Sequence, residues 1–263
     1  MRGTENRDAF KAYLEGEKLF SVISQSDMAA CRQKFQDAID LDPGFARAWS
    51  WLSYVVTRSV LQGWLPSAEL DTALEQAKEA VRLDAEDYVT HWDLAFTLLN
   101  KCEFDDAIKE YETAHDLYCN FTDLLDRKHG LLAEMAEAYI YIGNTDKAIE
   151  LLERAKRYPD WYRWILGWAY YNAEKYDLAI AELESMRLKP GDDKYVMDVQ
   201  LFVAAAYAQM ENDTMAKSAL SLFQQSFGAK YTIENAKQRG CFKDPAQEER
   251  WLAGLRKAGV PEK

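Results

Sequence analysis

Apolar side chains recur three and four positions apart along nearly the whole chain, and no run of β-branched residues alternates with polar ones. That periodicity predicts helices throughout. Two submotifs take turns. The first sets a large residue ahead of an apolar–small pair and then a further apolar or aromatic residue. It occurs as Trp49/Leu52/Ser53/Val56, His91/Leu94/Ala95/Leu98, Leu132/Met135/Ala136/Tyr139, Arg163/Leu166/Gly167/Tyr170 and Gln200/Val203/Ala204/Tyr207. The second, spaced i, i+4, i+7, follows each: Ala73/Ala77/Ala80, Ala107/Tyr111/Ala114, Ala148/Leu152/Ala155, Ala179/Leu183/Met186 and Ala216/Leu220/Phe223.

The interval between the small residues carries the architecture. Ala95 to Ala107, Ala136 to Ala148, Gly167 to Ala179 and Ala204 to Ala216 are each twelve residues apart. Ser53 to Ala73 is twenty, which places an eight-residue insertion around QGWLPSAE. Small side chains at a fixed interval mark where two antiparallel helices cross closely. The segments NKCEF, IGNTD, AEKYD and MENDT supply the turns between them.

This pattern resembles the tetratricopeptide repeat, and HWDLAFTLLNKCEFDDAIKEYETAHDLYC matches it best. The resemblance implies an all-α, right-handed α-solenoid of about six helix pairs. Residues 1–45 read as a degenerate first repeat, with Cys31/Phe35/Ala38 and Asp42-Pro43 closing its second helix, and residues 46–225 as five repeats. Residues 226–263 read as two C-terminal capping helices on one continuous solenoid. The last helix opens at Asp244-Pro245, closes at Gly259 and is amphipathic through Trp251, Leu252, Leu255 and Ala258. Ala85 and Cys119 stand where the repeat usually closes with proline, and Met186 and Phe223 replace small residues.

A narrower likeness joins AFKAYLEGEKLF, FQDAIDLDPGFARAWSWLSYV and FKDPAQEERWLAGLRKAGVPE. Together they are similar to the C-terminal tetratricopeptide regions of bacterial class III adenylate cyclases and related winged-helix transcriptional regulators. That similarity implies a regulatory or sensory module, with no catalytic motif to transfer.

Composition narrows the function classes. The net charge is −12, from 32 basic and 44 acidic side chains, and no like-charged block reaches five residues. Phosphate binding needs a local excess of Lys and Arg, so nucleic acid is not an expected partner. No stretch approaches the roughly 20 apolar residues of a membrane span. The start, MRGTENRDAF, lacks the apolar core of a secretory signal. Cys31, Cys102, Cys119 and Cys241 show neither a C-x-x-C pair nor zinc spacing, and read as reduced thiols of a cytoplasmic protein. Asn120-Phe-Thr and Asn212-Asp-Thr match the glycosylation pattern, which matters only in a secreted chain.

Catalytic motifs are missing. The twelve glycines form no phosphate-cradling loop, none of the three histidines stands in H-E-x-x-H, and no G-x-S-x-G occurs. His115 and Cys119 are four apart on a predicted helix, but two ligands do not make a metal site. The expected function is non-enzymatic, with no cofactor and no metal.

The stretch WYRWILGWAYY, residues 161–171, concentrates three tryptophans and three tyrosines. On a helical wheel with Trp161 at zero, Trp164, Trp168 and Tyr171 fall at about 300°, 340° and 280°, while Leu166 and Tyr170 fall at about 140° and 180°. The repeat-defining residues thus take one face and the aromatic residues another. In the resembled fold that second face lines the concave groove. Equivalent positions hold Trp51 and Tyr54, then Trp92 and Phe96, then Ala133, Glu134 and Glu137, and finally Leu201, Phe202 and Ala205. Trp51, Tyr54, Trp92, Phe96, Trp161, Trp164, Trp168 and Tyr171 are therefore the candidate partner-binding residues.

If Trp92, Phe96, Trp161, Trp164 and Trp168 stay half exposed, the groove shows on the order of 400–500 Å² of apolar surface, enough to bind a partner. Packing between neighbouring first helices is the competing account of the same rings. The charged residues on this face are Arg47, Arg58, Asp93, Glu134, Glu137 and Asp198. Two arginines in one repeat do not form the multi-cation grip with which the chaperone-binding subclass holds a peptide carboxylate. The expected partner is a peptide or helix of a protein, a second copy of the chain being one candidate. A tryptophan cage for a small cation is the alternative from another class.

Overall fold

The computed structural model describes residues 3–20, 24–121, 128–155, 160–186, 193–227, 231–239 and 242–263. Among the described residues every regular element is an α-helix. The chain divides into two compact units, residues 1–125 and 126–263.

The first unit holds α1 (Arg7–Leu19), α2 (Gln25–Leu41), α3 (Ala46–Leu61), α4 (Glu69–Leu83), α5 (Tyr88–Asn100) and α6 (Phe104–Phe121). The second holds α7 (Lys128–Tyr141), α8 (Thr145–Arg154), α9 (Asp160–Asn172), α10 (Tyr176–Glu184), α11 (Asp193–Gln209), α12 (Asp213–Phe227), α13 (Ile233–Arg239) and α14 (Pro245–Ala258). Consecutive helices pair, α1 with α2 through α11 with α12, and each pair packs on the next within its unit.

One backbone device ends four of the first helices. Cys102, Gly143, Glu174 and Glu211 all have positive φ, and each stands seven residues after the small residue of its repeat. The amide of the following residue closes the turn onto a helix carbonyl: Glu103 to Leu98, Asn144 to Tyr139, Lys175 to Tyr170 and Asn212 to Tyr207, at 2.9–3.0 Å. This left-handed termination satisfies the orphan carbonyls of the helix end. The chain then reverses directly into the second helix, so the interval between the small residues is fixed. The insertion in the second repeat instead extends α3 to Leu61 and lays Trp64 and Leu65 partly buried on the core.

The small residues are crossings in fact. A Cβ on Gly167 would stand 2.5 Å from Leu183 Cγ of α10. Ala95, Ala107, Ala136, Ala148, Ala179 and Ala204 are fully buried. The first pair uses Gly16, where a Cβ would meet the Phe35 ring at 2.9 Å, and the Gly16 carbonyl accepts from Cys31 Sγ at 3.2 Å. Burial pushes that thiol up to about 12.

Cys31 and Cys119 are free thiols.

A buried histidine links α5 to α6. His91 Nδ1 lies 2.5 Å from Glu110 Oε2, and its Nε2 lies 3.0 Å from the Ala85 carbonyl. Both neighbours present acceptor oxygens, an arrangement that favours the doubly protonated ring. The hydrogen bond to Glu110 raises its pKa above the ordinary 6.5, against the opposing effect of burial. A raised folded-state pKa gives stability that is fully present below 6.5 and is lost as pH rises through the folded value. Urea unfolding of the parent should therefore weaken over that window, and His91→Gln should flatten the pH dependence. An unchanged slope in the variant would remove His91 as its source.

Candidate partner-binding face

In the first unit Phe20, Phe35, Trp51, Tyr54 and Phe96 form a connected set of rings. Phe20, at the end of α1, meets Trp51 at 5.2 Å and Tyr54 at 5.6 Å between centroids. Trp51 stacks on Phe35 at 5.5 Å and 20°, and Tyr54 reaches Phe96 of α5 at 4.9 Å. Trp51, Tyr54 and Trp92 are half-buried, while Phe96 is only 5% exposed. Sequence spacing put all four on one surface; the structure leaves three partly exposed and buries Phe96 beneath Tyr54. Phe96 is interior because α3 and α5 pack directly, bringing Tyr54 over its ring.

Polar side chains fix the α3–α5 junction beneath these rings. Ser50 Oγ donates to the Asp93 carboxylate, and the Thr57 and Thr97 hydroxyls lie 3.1 Å apart, all of them buried. Arg47 makes a two-pronged ion pair with Asp87, its Nη2 donating to Oδ1 at 3.0 Å. Two of the expected groove charges, Arg47 and Asp93, are thus committed to holding helices together.

The second unit treats its rings differently. Trp164 is half-buried, but Trp168 is 3% exposed and Tyr171 fully buried. The expectation that both line an open surface is corrected by what covers them. Trp168 is enclosed by Tyr141 at 4.9 Å, Trp164 at 5.3 Å, Phe242 at 6.3 Å and Phe202 at 6.4 Å. Tyr171 packs edge-on against Phe202, Tyr176 and Trp251, and its hydroxyl donates to the Arg250 carbonyl at 3.1 Å. Burial drives its phenol pKa up. The Trp161 side chain lies outside the described residues. With Trp168 enclosed, the Trp164–Trp168 pair offers no open cage for a small cation.

The covering element is α14, together with the residues leading into it. Its start follows the expected signals, with Asp244 Oδ1 accepting from the Ala246 amide at 3.0 Å, Pro245 in the first turn and Gly259 left-handed at the end. Its apolar face buries Trp251, Leu252, Leu255 and Ala258. The sequence identified that face and assigned it to the end of the last repeat. Trp251 stacks on Phe202 of α11, in the last repeat, at 4.2 Å and 27°. Composition and spacing cannot reveal which surface an amphipathic tail selects, so Trp251 and Phe242 were not among the expected site residues.

Cys119 Sγ lies 3.7 Å from His115 Nε2, and among the described residues no group of three metal-binding side chains converges. Among the described residues, no helix is long and apolar enough to cross a membrane.

No protein-family model and no curated protein matches the chain. Solved structures do. A thermophilic TPR protein of Thermus thermophilus is 18% identical with a TM-score of 0.57, the match covering 75% of this chain and 98% of that one. Pseudomonas aeruginosa PilF is 13% identical with a TM-score of 0.61, covering 88% and 98%. YrrB, a TPR protein with an unusual peptide-binding site, is 17% identical with a TM-score of 0.50, covering 73% and 92%. At these identities the likeness is one of fold. The chain is an all-α protein of the tetratricopeptide solenoid type.

Proposed function

We propose that this chain is a non-enzymatic interaction scaffold that holds a peptide or helix of a protein partner against the aromatic face of its first helices. One observation carries the reading: Trp51, Tyr54 and Trp92 stay half-buried at the surface of the first unit while Phe20, Phe35 and Phe96 fix rings from below. Rings already held by packing lose little freedom on binding, and aromatic side chains are the commonest anchors of protein interfaces. Peptide binding by YrrB supports the same use of the fold. The tail and entry segments that resemble cyclase and regulator repeat regions support a regulatory setting for the partner.

A displayed library of random peptides, each about 16 residues long to span roughly four helical turns, tests the proposal. Selection on the parent chain should enrich a recurrent sequence, and Trp92→Ala should lose that enrichment while keeping its helix content. A library that enriches nothing over an unrelated helical protein would count against the scaffold reading.

A further inference from the structure

We infer that α14 is a built-in ligand, seated where the second unit takes its partner. The partner that competes for the seat is an amphipathic helix with a basic edge, an aromatic anchor and a small residue three positions after it. The inference rests on the scaffold reading above and names its partner class.

The three pairs α7–α8, α9–α10 and α11–α12 are each formed by contacts between their own two helices. α14 packs mainly on α11 and also touches α12, as a helix continuing the stack would. Its entry and first turns reach further, back along the first helices. The Lys243 amide donates to the Tyr141 carbonyl at 3.1 Å, and Asp244 lies against Gly143 in the turn after α7. Arg250 Nη1 donates to the Asn172 carbonyl at the end of α9 at 3.1 Å, and Nη2 pairs with Glu174 at 2.9 Å. The helix therefore covers the part of the aromatic face formed by the end of α9 and by α11.

Its recognition is specific in three respects. Trp251 supplies the anchor, stacked on Phe202 and edge-on to Tyr171. Gly254 supplies the close approach, since a Cβ there would stand 3.0 Å from Ala205 Cβ and would collide with the Tyr171 hydroxyl. Four residues before Gly254, the Arg250 carbonyl is left uncovered and accepts from Tyr171 Oη at 3.1 Å and Gln209 Nε2 at 3.3 Å. Side chains of α9 and α11 thus grip the backbone of a foreign helix, which a purely apolar packing surface does not do. The basic edge follows from Arg250 on Glu174 and Lys257 on Gln209 Oε1, and it suits a chain of net charge −12.

The seat is filled imperfectly. Asn172 Nδ2 and Gln247 Oε1 are buried without a hydrogen-bond partner. Unmet buried amides penalise the closed arrangement. A helix that satisfies them displaces α14.

The test uses the full-length chain and a fluorescein-labelled synthetic peptide of residues 244–263. Gly254→Leu unseats α14 by bulk, and Trp251→Ala unseats it by removing the anchor. Fluorescence anisotropy should show the peptide binding either variant at least tenfold more tightly than the parent, whose seat is occupied. A peptide carrying its own W251A change should bind none of the three. Variants that keep their helix content yet bind the peptide no better than the parent would overturn the proposal. So would loss of helix content in both variants, because α14 would then be part of the core. Either failure, with peptide enrichment on the first unit intact, leaves the scaffold reading standing.

Discussion

Replacing Trp168 by alanine should destabilise the second unit by about 3–5 kcal/mol, the range for emptying a buried aromatic site. The ring is 3% exposed and touches side chains from α7, α11 and the entry to α14 as well as its own helix. No single neighbour can collapse into the space, which keeps the expected loss toward the upper end. Urea unfolding followed by far-UV circular dichroism measures it without relying on the altered tryptophan signal. A loss below about 1 kcal/mol, the size of a surface substitution, would mean the ring is not packed as described.

Gly167→Leu should cost about 3 kcal/mol, the upper end for overpacking a core. The added Cβ alone would stand 2.5 Å from Leu183 Cγ and 2.7 Å from its Cδ2. Leu183 is itself 1% exposed and cannot swing aside, so α9 and α10 must move apart. Thermal unfolding of this variant beside Gly63→Leu separates crowding from backbone strain. Gly63 has positive φ but nothing near its Cβ, so only Gly167 should show the crowding penalty.

These effects bear on what the sequence made legible. The helix pairs were readable because a close crossing demands a small side chain, and a turn of fixed length repeats the demand at a fixed interval. The interval is carried by the left-handed turn residues, yet three of the four are Cys102, Glu174 and Glu211 rather than glycine. Composition alone therefore hides the turns. The first repeat was harder to place for a similar reason. Gly16 is its crossing residue, but twelve positions later stands buried Met28 where other repeats have alanine.

The site was legible only in part. Helical geometry grouped Trp51, Tyr54, Trp92 and Phe96 together and Trp164, Trp168 and Tyr171 together; the first four stand on α3 and α5 and the other three on α9. Periodicity says which rings share a face, whereas exposure depends on what arrives from elsewhere in the chain. Tyr171 is sealed by a residue eighty positions away, Trp251. No local pattern around residue 171 contains that information. The amphipathic character of α14 was visible, but its choice of seat depended on Gly254 meeting Tyr171 and Ala205 in three dimensions.

Titration calorimetry of a library-selected peptide against the parent and Trp92→Ala tests the central claim most directly. Loss of an aromatic anchor typically costs about 2 kcal/mol or more, so the variant should bind at least roughly 30-fold more weakly. Its unfolding midpoint should stay close to that of the parent, since Trp92 is only half-buried. Equal affinity in parent and variant would place the peptide elsewhere and contradict the aromatic face as the binding surface.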